Sequence, residues 1–303
     1  MSGGAILVSG ASGLVGGALL ALLGARRERV RALTRDPARV RPAADVEAVR
    51  WNGLDVPEPA LRGARAVVHL AGEPIVGGLP TAARRRRVVE SRVESTRRLA
   101  AALARLPAAE RPAVLVCASA VGYYGDRGEE RLEEAAPPGR GFLADLCADW
   151  EEAAARVEAL GLRRVSLRLG VVLSRRGGAL APLATIFRLG LGGRVGSGRQ
   201  WMPWLHLDDA AGLALHALDQ AAVAGPLNAA APEPVRNADF ARALGRAVAR
   251  PARLPVPAFA VRAALREAAG ELLSSRLVVP ALALRTGYRF RHPDLAGALA
   301  AEV

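Results

Sequence analysis

The chain has 303 residues, of which 51% are hydrophobic and 23% charged, a balance that supports a large buried core and excludes a disordered chain. Its apolar runs fall short of the ~18 residues that a membrane span needs, so we predict no membrane contact. The net charge of +13 would suit nucleic-acid binding, but the 42 basic residues are all arginines spread along the chain and aromatic residues make up only 4%, so we predict no nucleic-acid partner.

Strands and helices alternate over the first 173 residues. Short apolar runs predict strands at Ala5–Ser9, Val30–Thr34, Val46–Trp51, Arg65–Leu70, Ala113–Ala118 and Arg164–Leu173. Helices are predicted at Leu14–Leu23, Ala82–Leu106 and Gly141–Leu160. This order predicts an α/β fold with a doubly wound, parallel Rossmann-type sheet.

The second half of the chain has a different character. Gly- and Arg-rich stretches follow residue 173, and Ala-rich helical segments and prolines come after them. We therefore predict a nucleotide-binding domain at 1–173, to which 205–230 returns. A smaller C-terminal substrate or capping domain is predicted at 174–204 and 231–303.

Two features indicate the compartment. The N-terminus from Met1 to Gly4 carries no charged residue, and the apolar run Ala5–Ser9 is too short for a secretion signal. The two cysteines, Cys117 and Cys147, have no metal-ligand spacing and are interpreted as small buried apolar residues. We expect a cytoplasmic protein.

The first strand runs into the turn Gly10-Ala11-Ser12-Gly13-Leu14-Val15-Gly16. In a Gly-x-x-Gly-x-x-Gly turn between a strand and a helix, the first glycine permits the tight bend and the second lets a pyrophosphate approach. The third permits close packing of the helix, whose N-terminal N–H groups face the phosphates. The position of this turn at the start of the alternation predicts a dinucleotide site.

The end of the second strand bears on the choice of dinucleotide. Thr34-Arg35 ends that strand, and an arginine there accommodates a ribose 2′-phosphate. Asp36 follows directly and favours the opposite choice. We predict NADP(H), with NAD as the alternative.

Longer motifs carry a family resemblance over nearly the whole chain. They are Val8–Gly16, His69–Ile75, Ser91–Val93, Ser119–Gly125, Trp150-Glu151, Leu167–Leu173, Gln200–His206 and Asn228–Asn237. On these motifs the chain resembles the extended short-chain dehydrogenase/reductase superfamily, and within it the epimerase-like branch of uncertain function. The resemblance implies a nucleotide-binding sheet, a small C-terminal domain and a nicotinamide cofactor.

The predicted cofactor contacts follow from the turn, the strand ends and the resemblance. They are Gly10, Ser12, Gly13, Leu14, Val15, Gly16, Thr34, Arg35, Leu70, Ala71, Gly72 and Arg92. The predicted partner is a small-molecule substrate, a homodimer is possible, and no metal site is predicted.

The catalytic pattern departs from the one that the resemblance implies. Members of the superfamily use a Ser and a Tyr-x-x-x-Lys pair, in which the lysine lowers the pKa of the tyrosine. This chain has no lysine, and Leu143 and Cys147 stand at the two positions. Cys147 is interpreted as a packed helix residue.

Four residues at or just beyond strand ends are the catalytic candidates. Ser119 follows the fifth strand and Glu73 the fourth, which places both at the ligand-binding edge of a parallel sheet. Tyr123 and Tyr124 lie a few residues further on, and one of them is predicted to donate the proton. The alternatives are that both tyrosines pack under the capping domain and that Glu73 only satisfies a turn.

Other polar residues are given a structural interpretation. Arg168 interrupts an apolar strand and must be paired, with protein or with ligand. The run Arg84–Arg87 is interpreted as a solvated helix face, with a phosphate or nucleic-acid patch as the alternative. His206 is interpreted as a structural partner of the helix-capping Asp208 and Asp209, with a metal ligand as the alternative, and His69 is interpreted as a core residue. We also consider that Trp201 and Trp204 wall a substrate cleft.

Two functions remain open from the sequence. The first is an NADP(H)-dependent oxidoreductase or nucleotide-sugar epimerase-like enzyme acting on a small polar substrate. The second is a catalytically inactive protein that senses NADP(H) or binds a partner, which the missing Tyr–Lys pair keeps open.

Overall fold

A parallel sheet of seven strands organises the fold in this computed structural model, which describes residues 4–40, 45–75 and 81–303. The predictions made on Met1 to Gly3 lie outside the described residues. The strands of the sheet, in spatial order, are β11 (Gly225–Ala229), β7 (Arg163–Leu169), β5 (Val114–Ala120), β4 (Ala64–His69), β1 (Ala5–Ser9), β2 (Val30–Thr34) and β3 (Val46–Arg50). The α/β class and the doubly wound parallel sheet are confirmed.

The central strands are apolar on both faces because helices cover both. All five residues of β1 are buried, and so are five of the six residues of β4. The helices are α1 (Leu14–Ala25), α2 (Glu58–Leu61), α3 (Ala82–Val89), α4 (Ser95–Arg105), α5 (Phe142–Ala155), α6 (Leu180–Arg188), α7 (Leu207–Asp219), α8 (Asn237–Ala247), α9 (Ala258–Leu265), α10 (Gly270–Leu273), α11 (Ala281–Arg285) and α12 (Leu295–Glu302).

Two predicted elements are divided in the structure. The strand predicted at 164–173 is β7 followed by β8 (Val171–Leu173), and the break falls at Gly170, whose Cβ would lie 2.9 Å from the Pro203 carbonyl oxygen. The helix predicted at 82–106 is interrupted by a π-helical turn, Glu90–Glu94, between α3 and α4. Such turns are uncommon and often mark functional sites.

The described chain forms two compact units. The first comprises the described residues of Met1–Ser119 together with Ala148–Leu167 and Ala211–Leu227. The second comprises Ala120–Cys147, Arg168–Ala210 and Asn228–Val303.

The second unit contains three small two-stranded sheets. Strand β8 pairs in parallel with β10 (Trp204–His206), and β9 (Trp201–Met202) pairs antiparallel with β12 (Val235–Arg236). Strand β6 (Arg131–Leu132) pairs in parallel with β13 (Leu277–Val278). The core of this unit includes Phe187, Trp204, Phe240 and Leu299. Trp204 is therefore a core residue, and the interpretation that it walls a cleft is wrong.

No helix in the described part of the chain combines the length and the apolar character that crossing a bilayer requires.

A buried histidine links two strands of the sheet to α4. His69 Nδ1 lies 2.7 Å from Ser9 Oγ, and its Nε2 lies 3.2 Å from Ser95 Oγ. Burial lowers the pKa of His69 from 6.5 to about 4, because the protonated ring would lose its hydration. The interpretation of His69 as a core residue is confirmed.

This network predicts a pH dependence of stability. An unfolded His69 binds a proton near pH 6.5, whereas the folded one resists protonation until about pH 4. The contribution of the neutral His69 to the free energy of unfolding is therefore fully present above pH 6.5. It is lost as the pH falls towards 4, by up to about 3 kcal/mol. Urea unfolding of wild type and of His69→Gln between pH 4 and 7 should show the additional loss in the wild type alone. Equal losses in both proteins would contradict the prediction.

Candidate functional site

The turn after β1 brings two stretches of backbone into direct contact. Gly10 has a φ of +69°, and a Cβ there would lie 2.7 Å from the carbonyl carbon and oxygen of Leu70. A Cβ at Gly16 would lie 2.2 Å from the Gly10 carbonyl oxygen. Neither position has room for a side chain, and this is the packing that the sequence pattern predicts.

Helix α1 starts at this turn without a side-chain cap. Gly13 is its N-cap residue, and no acidic residue lies in its first turn. Leu14, Val15 and Gly16 form that first turn, and their contact with a cofactor through backbone N–H groups stays a prediction. An uncapped helix N-terminus beside a glycine-rich turn is suited to binding an anion.

A cavity of about 350 Å³ lies in the first unit at this edge of the sheet. Nine of the predicted site residues line it, which are Gly10, Ser12, Gly13, Thr34, Arg35, Leu70, Ala71, Gly72 and Glu73. The structure therefore brings together the ends of β1, β2 and β4. It adds residues that were not among the predicted cofactor contacts, among them Arg39, Trp51, Asn52, Leu54, Arg87 and Ser91.

Among the described residues, three arginines line this cavity, which are Arg35, Arg39 and Arg87. Asp36 also lines it, but its Oδ1 accepts a hydrogen bond from the Ala38 N–H at 3.1 Å and caps the short turn that follows β2. Arg87 belongs to the run interpreted as a solvated helix face. Arg87 is exposed, as that interpretation expects, and it also lines the cavity.

The buried indole of Trp51 is also part of the cavity wall. Its Nε1 has no hydrogen-bond partner among the described residues. The glycine turn and the arginines of this wall together fit a phosphorylated dinucleotide.

The π-helical turn holds the loop after β4 in place. The Val88 carbonyl accepts hydrogen bonds from Ser91 Oγ at 3.1 Å and from Arg92 Nη1 at 3.3 Å. The same two side chains bind Glu73, since Ser91 Oγ accepts from its N–H at 3.0 Å and Arg92 Nη1 donates to its carbonyl at 2.8 Å. Arg92 is buried, lies over the Trp150 ring and does not line the cavity. It therefore positions the loop through which Glu73 reaches the cavity.

Ser119 is paired with a carboxylate that the sequence reasoning missed. Its buried Oγ donates to Glu151 Oε1 at 2.6 Å. In the register of β4 and β5, Cys117 is the partner of His69, and Ser119 lies two residues further along β5. Ser119 is not among the residues that line the cavity. The helical spacing of four between Leu143, Cys147 and Glu151 was the available signal for the carboxylate.

The two adjacent tyrosines, both in the second unit, have different environments. Tyr124 is fully buried, and its hydroxyl donates to Asn228 Oδ1 at 2.6 Å and accepts from Arg168 Nη1 at 2.8 Å. Burial raises the pKa of Tyr124 to about 12. The half-buried Tyr123 lies under the Arg168 guanidinium, with 3.6 Å between the Arg168 Cζ and the ring centroid. The structural pairing of Arg168 is confirmed.

The positions of the missing Tyr–Lys pair are filled by packed side chains. Leu143 is 6% and Cys147 3% exposed. Cys117 is also buried, and burial raises the pKa of its thiol to about 12. The interpretation of both cysteines as buried apolar residues is confirmed.

A glycine-rich strand-to-helix turn at the carboxyl edge of a parallel sheet, beside a polar cavity, defines a Rossmann-type nucleotide-binding protein. The model of the NAD dependent epimerase/dehydratase family matches residues 6–230, and a domain of unknown function, DUF1731, matches residues 256–302. The chain belongs to the NAD-dependent epimerase/dehydratase family, in agreement with the resemblance read from its motifs.

Three similar proteins extend this finding. The chain is 41% identical to the bovine epimerase family protein SDR39U1, over 97% of this chain and 98% of that protein. The crystal structure of human epimerase family protein SDR39U1 (isoform 2) with NADPH matches at 36% identity and a TM-score of 0.87, covering 98% of each chain. A nucleoside-diphosphate sugar epimerase from Corynebacterium glutamicum matches at 33% identity and a TM-score of 0.78, over 99% of this chain and 58% of that one.

The two tyrosines predict different responses to removal of a hydroxyl group. Tyr124→Phe removes the buried hydroxyl that donates to Asn228 Oδ1 and accepts from Arg168 Nη1, which should lower the free energy of unfolding by about 1–3 kcal/mol. Tyr123→Phe keeps the ring under Arg168 and should change stability by less than about 0.5 kcal/mol. Chemical denaturation of the matched pair measures both effects. Equal stability of the two variants would show that the Tyr124 network contributes nothing.

Proposed function

We propose that the cavity in the first unit binds NADP(H). The observation that carries this proposal is that Arg35, Arg39 and Arg87 line the same cavity as the glycine turn. Guanidinium groups bind phosphate through charge-assisted hydrogen bonds. The human protein that was crystallised with NADPH adds support at 36% identity over nearly the whole chain.

Asp36 does not oppose this choice of cofactor. A carboxylate near the end of β2 favours NAD when it accepts from the ribose 2′-hydroxyl. Here one oxygen of Asp36 already accepts from the Ala38 N–H. The arginines therefore dominate the charge offered to a 2′-substituent, and NADP(H) is preferred over NAD(H).

The activity we propose is that of an NADP(H)-dependent oxidoreductase or an epimerase-like enzyme acting on a small polar substrate. A bound nicotinamide would supply hydride transfer. The protein would supply the proton chemistry through Ser119 and Glu151. Because the Ser119 hydroxyl donates to Glu151 at 2.6 Å, its Oγ lone pairs remain available to accept from a substrate hydroxyl. Glu151 can then take up the serine proton.

The other candidates have different support. The Glu73 side chain lines the cavity and can contact a bound ligand. Tyr123 remains a candidate proton donor. Tyr124 is less suited, because its buried hydroxyl already makes hydrogen bonds to Asn228, to Arg168 and to the Glu133 carbonyl within its own unit.

An inactive NADP(H) sensor or partner-binding protein is the second candidate function. It is favoured by Leu143 and Cys147, which are both buried and cannot replace the proton donor and the lysine. The two functions share the cofactor cavity and differ in whether Ser119 and Glu151 contact a substrate. We further propose a cytoplasmic location, a small-molecule substrate, no nucleic-acid partner and a possible homodimer.

Cofactor preference can be measured by calorimetry with NADPH and NADH. The wild type should bind NADPH more tightly. Arg35→Ala should remove about 1.5–3 kcal/mol of NADPH binding, because a charge-assisted contact is lost, and should change NADH binding much less. Arg87→Ala should act in the same direction. Arg105→Ala, an exposed arginine of α4 outside the cavity wall, is the matched control. Equal wild-type affinities for the two cofactors would refute the NADP(H) assignment.

Catalysis can be tested by screening carbonyl compounds, alcohols and nucleotide sugars with the NADP cofactor. On any substrate found, Ser119→Ala and Glu151→Gln should each lower kcat about 10²–10⁴-fold, which is the usual contribution of general acid–base catalysis. NADPH affinity should stay within a few fold, and Tyr123→Phe tests the second proton donor. Activity that survives in both the Ser119 and Glu151 variants would exclude this pair. Tight NADPH binding without turnover in the whole screen would favour the sensor.

A further inference from the structure

The second unit contains a cluster of polar side chains from three separate segments. His206 ends β10, Asp208 lies in the first turn of α7, and His292 lies in the loop before α12. The sequence favoured a structural role for His206 over a metal ligand. In the fold their rings are stacked, with centroids 3.6 Å apart and planes inclined by 33°.

The distances among these side chains are close to those of a metal site. His206 Nδ1 lies 3.9 Å and His292 Nε2 lies 3.7 Å from Asp208 Oδ2. The ligand atoms of the three residues all lie within 4.8 Å of one another. The three ligand atoms form a triangle, and an ion at its centre would lie at most about 2.5 Å from each of them. Shifts of the ligand atoms by about 0.5 Å would bring them to the 2.0–2.2 Å of zinc–ligand bonds.

The loop that carries His292 is held rigidly. The fully buried carboxylate of Asp209 accepts from the backbone N–H groups of Arg291 and His292, at 2.8 and 3.0 Å. It also accepts from the Tyr288 hydroxyl at 3.0 Å. Three hydrogen bonds on one buried carboxylate therefore fix the approach of His292 to His206, which is the preorganisation that a ligand site needs.

The buried ring of His206 is already in the form that binds a metal. Its Nδ1 accepts from the Asp208 N–H at 3.1 Å, so this nitrogen carries the lone pair and Nε2 the proton. A neutral ring with its lone pair on Nδ1 is the form of histidine that coordinates a metal ion.

The opposite nitrogen of His206 faces a second carboxylate. Its Nε2 is buried and makes no hydrogen bond of acceptable geometry, although Glu302 Oε1 lies only 3.0 Å away. Metal-bound histidines regularly direct their second nitrogen at a carboxylate, which orients the ring and raises its basicity. The other oxygen of Glu302 accepts from the Arg175 N–H at 2.6 Å, so its position is fixed as well.

We propose that His206, Asp208 and His292 form a binding site for a divalent transition-metal ion of the zinc class, with Glu302 as the outer-shell partner of His206. Two imidazoles and one carboxylate are ligands that suit Zn²⁺ and disfavour Ca²⁺ and Mg²⁺. When the metal binds, the His206 Nδ1 lone pair coordinates the ion and no longer accepts from the Asp208 N–H. That N–H belongs to the first turn of a helix, where donors need no partner within the helix. The fourth coordination position is open to solvent through Asp208, whose side chain is 48% exposed.

The test is isothermal titration of the chelator-treated, tag-free protein with Zn²⁺, and with Co²⁺ as a spectroscopic probe. We expect one Zn²⁺ per chain and visible Co²⁺ absorption bands of a low-coordinate site. His292→Ala and Asp208→Asn should each weaken Zn²⁺ binding more than about 100-fold, and Glu302→Gln about 10–100-fold. His216→Ala, which removes an imidazole outside the cluster, should leave binding unchanged.

Circular dichroism of each variant controls for folding. Asp208→Asn changes an exposed side chain, so it keeps the test decisive if His292→Ala unfolds the protein. Absence of saturable Zn²⁺ binding, or unchanged affinity in Asp208→Asn or in folded His292→Ala, overturns the proposal. NADPH affinity plays no part in these measurements, so they stand independently of the proposed function.

Discussion

The candidate site depends on the close approach of two backbones at the carboxyl edge of the sheet. The turn after β1 lies against the end of β4, and a Cβ at Gly10 would fall 2.7 Å from the Leu70 carbonyl group. Because no side chain separates them, the glycine turn before α1 and the loop after β4 border one cavity. A substitution at Gly10 would separate these two walls of the cavity as well as strain the turn.

The loop after β4 is held by side chains of the π-helical turn, Glu90–Glu94. Ser91 and Arg92 both donate to the Val88 carbonyl. The same side chains hold Glu73 by its backbone. A buried arginine needs acceptors for its donors, and the carbonyls of Val88 and Glu73 accept from its Nη1. Arg92 thus lies beneath the cavity wall instead of in it.

The chemistry at the end of β5 reflects the loss of the superfamily's Tyr–Lys pair. Helix α5 carries Leu143 and Cys147, which are packed in the protein interior, and one helical turn further on it carries Glu151. Glu151 accepts from Ser119 at 2.6 Å. The helix that usually provides the proton donor therefore provides a carboxylate here. We regard this pair as the most direct route to proton transfer for a protein that has no lysine.

The sequence by itself determined the parallel sheet, the glycine turn and the strand ends that line the cavity, because these depend on local patterns of apolar residues and glycines. It also determined that the usual catalytic pair is missing. Only the tertiary structure decided which side chains meet. Arg39 and Arg87 join Arg35, Glu151 reaches Ser119, Tyr124 is buried by Asn228 and Arg168, and His292 stacks on His206. Each of these contacts joins residues from different elements, and the packing of one element against another is not encoded in the periodicity of either.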